Sequence, residues 1–216
     1  HFIDGAYRPS ASGKTFPVVA PATGEIYAAA HEGGEAEVNA AVSAARSALN
    51  GAWGALSIAD RTDLVISVAD EINARFDDFL EAEIIDTGKP KSLASHIDIP
   101  RGAANFKMFA DTIRTISGEA FETATPDGAG AINYSVRKPR GVIAVICPWN
   151  FPLAIGGTEM VMALMGGNAV VLSGQILVDD SSVQAVVFED FFLYNELLGS
   201  PCPEEPDGLI SVLDSS

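Results

Sequence analysis

Pro139-Arg140-Gly141-Val142-Ile143-Ala144-Val145-Ile146-Cys147-Pro148-Trp149-Asn150-Phe151-Pro152 is the stretch on which the fold turns. Its apolar run, Val142 to Ile146, reads as a buried strand of the kind found in parallel sheets. A Pro-Trp-Asn-Phe-Pro turn follows. Phe151 to Met165 then reads as a crossover helix and Ala169 to Leu172 as the next strand, which makes a β-α-β unit. An asparagine held at such a strand end is well placed to aim its amide at a reacting oxygen. Spacing alone equally allows Asn150 to N-cap the helix that begins at Phe151, with Pro152 in its first turn.

On the N-terminal side, residues 1 to 31 read as short strands with turns at Asp4-Gly5, Ser12-Gly13 and Thr23-Gly24. Val38, Val42, Ala45 and Leu49 form one apolar stripe and predict a helix from about Glu35 to Leu49. Ser57-x-x-Asp60 is an N-terminal capping pattern. It precedes the stripe Leu64, Val65, Val68, Ile72, Phe76 and Phe79, read as a second helix. A long helix is expected around Ser95 to Ile116, with Pro100 tolerated near its first turns or at a kink. Ile132, Tyr134 and Val136 alternate with polar residues, which predicts a half-exposed strand between Ala131 and Arg140.

A chain of 216 residues can bury a substantial core, in one or two domains. Nothing approaches the ~18 consecutive apolar residues of a membrane span, and the first residues lack the plan of a signal peptide. A soluble cytoplasmic protein is expected, with His1 pointing to a trimmed start. The net charge of −16 argues against nucleic-acid binding, which needs clustered Lys and Arg. Residues 1 to 173 carry all 13 bases against 20 acids; residues 174 to 216 carry 9 acids and no base. Cys147 and Cys202 cannot make a disulfide framework, and neither has metal-ligand spacing with His31 or His96, so no metal site is expected.

Pro148-Trp149-Asn150-Phe151-Pro152-Leu153, followed by an apolar helix and Gly167-Asn168-Ala169-Val170-Val171, resembles the signature of the aldehyde dehydrogenase superfamily. Phe2-Ile3-Asp4-Gly5, Pro21-Ala22-Thr23-Gly24-Glu25 and Glu83-x2-Asp86-Thr87-Gly88-Lys89-Pro90 are similar to other segments of that family, so the likeness runs from residue 2 to residue 172. Ser95-His96-Ile97-Asp98-Ile99-Pro100-Arg101-Gly102-Ala103-Ala104-Asn105-Phe106 and Thr125 to Ala131 resemble the 2-hydroxymuconic and 2-aminomuconic semialdehyde dehydrogenases of aromatic catabolism.

The resemblance implies an α/β fold: an incomplete Rossmann-like parallel sheet with flanking helices, plus an extended β-arm. Residues 1–120 and 141–216 would form a partial NAD-binding domain, and residues 121–140 an arm that joins a homodimer or homotetramer. The catalytic domain would be absent. In the family a Cys thiolate attacks the aldehyde, hydride passes to NAD(P)+, and a Glu-activated water releases the carboxylate. Asn150 matches the asparagine that holds the oxyanion. Ile146, Pro148 and Trp149 match the nicotinamide side of the cofactor site; NAD is expected, with NADP open. Arg101 matches an arginine that pairs with the carboxylate of a muconic semialdehyde, for which a planar fork suits better than Lys. The alternative for Arg101 is an intra-helix pair with Asp98, worth only tenths of a kcal/mol.

Departures from the family pattern are as informative. Ser173 and Ile176 stand where Lys and Glu of a Lys-Pro-Ser-Glu segment are usual, Glu159 where Lys is common, and the later Gly-Ser-Thr-x-x-Gly pyrophosphate turn is absent. Weak or lost cofactor affinity is expected. After Leu172 two registers remain open. In the collinear one, Val183 to Leu198 is the next helix and Pro206-Asp207-Gly208-Leu209-Ile210-Ser211-Val212-Leu213 a turn and strand. In the other, Ser173-Gly174-Gln175-Ile176 begins the nucleophile loop after a deletion, and Leu177 occupies the cysteine position. Either leaves no nucleophile, because Cys147 ends an apolar strand with no cation nearby in sequence, and Cys202 sits among acids. An inactive N-terminal portion of the enzyme is therefore expected; a non-catalytic oligomerising or dinucleotide-binding relic, or a damaged product without function, are the rivals.

Overall fold

The computed structural model describes residues 1–178, 181–184 and 209–213. Two antiparallel pairs open the chain. β1 (Phe2–Ile3) and β2 (Ala6–Tyr7) are joined through Asp4 and Gly5, both at positive φ. β3 (Thr15–Val19) and β4 (Ile26–Gly33) are joined by the Pro21-to-Glu25 turn, closed by the Gly24 and Ala20 N–H groups.

α1 (Glu35–Asn50) starts where Glu37 accepts hydrogen bonds from the N–H groups of Gly34 and Ala11, both 2.7 Å. After α2 (Ala52–Ala55) comes α3 (Ile58–Ala74), capped as its sequence predicts: Ser57 Oγ accepts from Asp60 N–H at 3.1 Å. The stripe running on to Phe79 was expected to be one helix. Instead the backbone turns at Arg75 (φ −102°, ψ 31°) into α4 (Phe76–Thr87). A one-residue break leaves the 3.6-residue apolar period almost intact, so periodicity could not register it.

α4 ends at Gly88 in the left-handed region, where a Cβ would lie 3.0 Å from Pro21 Cβ. The Pro-Ala-Thr-Gly turn thus packs on the exit of α4. α5 (Lys91–Leu93) leads through a π-helical turn (Ala94–Asp98) into α6 (Ile99–Thr115). Pro100 has no N–H to return to the carbonyl four residues back, and the ladder widens just before it, with Ile99 N–H on Ala94 O.

β7 (Val142–Cys147) and β8 (Ala169–Val178) are adjacent and parallel, in register from Val142↔Ala169 to Cys147↔Gly174. A π-helical turn (Pro152–Gly156) and α7 (Gly157–Met165) connect them. One face of this sheet carries the main core: Val65, Val68 and Ile72 of α3, Ile99, Ala103 and Phe106 of α6, and Val161 and Leu164 of α7, with Val145 and Val170. The other face receives Ala41 and Ala45 of α1 against Val142, Ala169 and Val171. Helices on both faces of a parallel pair define an α/β fold.

β7 departs from expectation on one side. Val145 and Cys147 are buried, but Ala144 and Ile146 are exposed, because α1 covers only the N-terminal end of that face. Beyond β7, β8 runs unbroken to Val178 and pairs antiparallel with β9 (Ser181–Gln184), so Val183 and Gln184 are strand and not the start of a helix. The remainder of that expected helix lies outside the described residues. β10 (Leu209–Leu213) is a strand, as the collinear register requires, parallel to β4.

β5 (Ala120–Thr123) and β6 (Ala131–Tyr134) form a two-stranded antiparallel hairpin. The strand expected from Ala131 to Arg140 stops at Tyr134. Ile132, Tyr134 and Val136 are 74%, 72% and 64% exposed, so this segment is open and not half-covered.

Candidate functional site

Pro148, Trp149 and Asn150 lie at the C-terminal end of β7, the end at which open α/β sheets bind ligands. The turn is closed by Phe151 N–H on Pro148 O at a long 3.4 Å. Phe151 precedes the π-helical turn with φ −146° and ψ 56° and no side-chain cap. Asn150 therefore does not N-cap the helix. Its amide is exposed and makes no hydrogen bond among the described residues, which leaves both its donors available.

Three small residues let the surrounding elements close on this turn. A Cβ on Gly156 would lie 2.6 Å from Cys147 Sγ, one on Gly102 2.7 Å from Leu153 Cγ, and one on Gly157 2.9 Å from Phe106 Cε2. Asn105 Nδ2 donates to Thr158 Oγ1 at 2.5 Å. The pairs 102 with 153, 105 with 158 and 106 with 157 advance together, so α6 and the Pro152-to-Met165 helix run parallel. Their N-terminal ends lie side by side, with Gly102 against Leu153, three residues after Asn150.

Arg101 sits at that end of α6, one turn before Asn105. It is exposed and has no ion pair among the described residues. The alternative pairing with Asp98 does not occur, because Asp98 is fully buried and lies 3.0 Å from Lys89 Nζ instead. Ile146 and Trp149 are 49% and 41% exposed, and Pro148 is half-buried beside them. These three apolar residues share the end of β7 and its turn with Asn150.

Cys147 points the other way, into the helix layer, with Sγ 3.2 Å from Pro152 O. Burial, aided by the carboxylates of Glu159, Glu83 and Asp86, pushes its thiol up to about 12. At neutral pH it is a protonated structural group.

One group escaped the sequence reading. Lys89 Nζ lies 3.0 Å from Glu83 Oε1, 3.0 Å from Asp98 Oδ1 and 3.6 Å from the centre of the Phe151 ring. Burial, with Asp98 and Asp86 nearby, raises the Glu83 pKa against the opposing pull of Lys89. The available signal is Glu83-x5-Lys89, which spans the Gly88 turn inside the segment that carries part of the family likeness.

Comparison with known proteins identifies the family. The aldehyde dehydrogenase family model matches residues 7–188. The chain belongs to the aldehyde dehydrogenase family. This aldehyde dehydrogenase chain is 62% identical over 172 residues to the 2-hydroxymuconic semialdehyde dehydrogenase of Pseudomonas sp. (strain CF600), covering 80% of this chain and 35% of that protein. It is 46% identical over 172 residues to the 2-aminomuconic 6-semialdehyde dehydrogenase of a Pseudomonas species, with the same coverage of both. Among solved structures, PnpE in complex with nicotinamide adenine dinucleotide superposes with a TM-score of 0.79 at 30% identity, over 99% of this chain and 41% of that one. The chain thus spans about a third of the length of the curated relatives it matches.

Proposed function

We propose that this chain supplies the oxyanion donor, the nicotinamide side of the cofactor site and the substrate clamp of an NAD-dependent dehydrogenase that oxidises a muconic semialdehyde to its carboxylate. The observation that carries the reading is the exposed Asn150 amide at the C-terminal end of β7, without a hydrogen-bond partner among the described residues, with exposed Ile146 and Trp149 in the same short stretch and exposed Arg101 in the first turn of α6. NAD, when bound, accepts the hydride that leaves the aldehyde carbon. Asn150 holds the negative charge that develops on the aldehyde oxygen, and Arg101 receives the carboxylate at the far end of the substrate. The similarity to muconic semialdehyde dehydrogenases supports that substrate class, and the likeness to an NAD complex supports that cofactor.

The attacking thiolate is assigned neither to Cys147, which is buried and protonated, nor to Cys202, whose neighbours in sequence are acidic, and so to a part of the enzyme other than residues 1–216. We further propose a cytoplasmic homodimer or homotetramer joined through residues 121–140. Among the described residues no helix is long and apolar enough to cross a membrane.

The test joins residues 1–172 to the C-terminal remainder of the Pseudomonas sp. (strain CF600) enzyme. The chimera should reduce NAD+ with 2-hydroxymuconic semialdehyde, whereas the 216-residue chain should not. Asn150→Ala should lower kcat by about 10²–10³-fold, the usual loss on removing one oxyanion donor. Arg101→Ala removes a charge-assisted contact made in ground and transition states alike, so the loss should fall on KM by roughly 1.5–3 kcal/mol. A neutral aldehyde of similar length should be unaffected. Equal losses for both aldehydes would assign Arg101 to general helix integrity, and an unchanged kcat in Asn150→Ala would end the oxyanion reading.

A further inference from the structure

We propose that Lys89 is a positioning residue for the Asn150 turn and acts through the ring of Phe151; this rests on the reading of Asn150 as the oxyanion donor. Apart from the weak donor Cys147 Sγ, which lies 3.5, 3.9 and 3.2 Å from the carbonyl oxygens of Pro148, Phe151 and Pro152, the turn has few polar contacts of its own. Asn150 makes no side-chain hydrogen bond among the described residues, Phe151 carries no cap, and the closing bond from Phe151 N–H to Pro148 O is 3.4 Å long. An oxyanion donor is effective only when its geometry is fixed before the reaction. Some rigid body must supply that fixity from outside the turn.

The Lys89 ammonium is placed to do so. It is 3.6 Å from the Phe151 ring centre, and its own position is set by Glu83 of α4 and by Asp98 of the π-helical turn, each at 3.0 Å. Glu83 and Asp98 are buried, and the Lys89 side chain is only 11% exposed. A desolvated ammonium over an aromatic face is attracted more strongly than one in water. The cluster links α4, the start of α6 and residue 151 at one point, next in sequence to the amide it would aim. Gly88 makes this possible, because its left-handed backbone (φ 69°) reverses the chain within two residues of Glu83's own helical turn and returns Lys89 over it.

A merely structural ion cluster would stabilise the whole chain without controlling the turn, and amide hydrogen exchange separates the two. Ile155 N–H donates to Phe151 O at 3.0 Å and is released when the turn opens, whereas Val161 N–H lies inside α7. In the 216-residue chain, Phe151→Leu keeps an apolar side chain and leaves the Lys89-Glu83-Asp98 contacts untouched. It should speed exchange at Ile155 about tenfold relative to Val161, the equivalent of ~1.4 kcal/mol in the opening of the turn. Phe151→Tyr, which retains a π face, should restore the parent ratio. Lys89→Met should reproduce the Phe151→Leu ratio if it folds; the leucine variant decides the matter if it does not. An unchanged ratio in Phe151→Leu, or equal acceleration at both amides, overturns the proposal. Because exchange does not involve the chemistry of Asn150, an active Asn150→Ala chimera would remove the oxyanion reading while leaving the exchange result to stand or fall by itself.

Discussion

Cys147 and Asn150 stand three residues apart and have opposite fates, and the strand pleat is the reason. Alternate residues of β7 face opposite sides, so Val145 and Cys147 go into the helix layer while Ile146 faces out. Beyond the strand, Pro148 ends the ladder and the turn carries Asn150 into the open. Cys147 then pays for its burial in acidity: with its thiol pushed up to about 12, the reactive thiolate is a minute fraction at neutral pH. Folded chain treated with iodoacetamide should therefore show almost no label at Cys147 by peptide mass spectrometry at pH 7 to 8. Labelling should rise only as pH approaches that value or when denaturant exposes the strand. Rapid labelling of folded protein at pH 7 would reopen Cys147 as a nucleophile.

Between elements, the site is shaped by missing side chains. Gly156 sits so close to Cys147, and Gly102 to Leu153, that a methyl group at either would need a neighbour to move. Gly156→Ala and Gly102→Ala should each destabilise the chain by ~1–3 kcal/mol, the usual cost of overpacking a close contact. Thermal unfolding followed by circular dichroism checks this, and unchanged midpoints would show that the helices can slide apart without cost. Such contacts mark the boundary of what the sequence discloses. The β-α-β unit, the Ser57 cap and the Asn150 strand end were legible because each rests on local pattern: an apolar run, a capping spacing, a motif. The break at Arg75 was not, since it preserves the apolar period. The Lys89 cluster was not legible either, because its carboxylates come from positions 83 and 98 and its aromatic partner from position 151. Only the tertiary fold brings those three together. The pairing weighed between Arg101 and Asp98 failed for the same reason: spacing allowed it, but Asp98 is turned inward to Lys89.

At the scale of the whole molecule, the β5–β6 hairpin has too little covering it to explain its composition. Cross-strand pairing puts Ile132 and Tyr134 on one face with Ala120 and Glu122, and Val136 continues the alternation. Phe121, 62% exposed, occupies the opposite face. A two-stranded hairpin is marginal in water without further packing, and contiguous exposed apolar surface marks an interaction site. The same arm in a second copy is the occupant that the family resemblance implies for residues 121–140. Pairing there would have to overcome repulsion between two chains of net charge −16, so association should strengthen with salt, which screens charge but leaves apolar burial intact. Sedimentation velocity should accordingly show a larger oligomer fraction at 0.5 M than at 0.05 M NaCl. Ile132→Glu with Tyr134→Glu should yield monomer at both, with the helical circular dichroism signal unchanged because, among the described residues, the hairpin contributes nothing to the buried core. A double variant that still associates would move the interface elsewhere, and loss of helical signal would show that the hairpin supports the fold and not assembly.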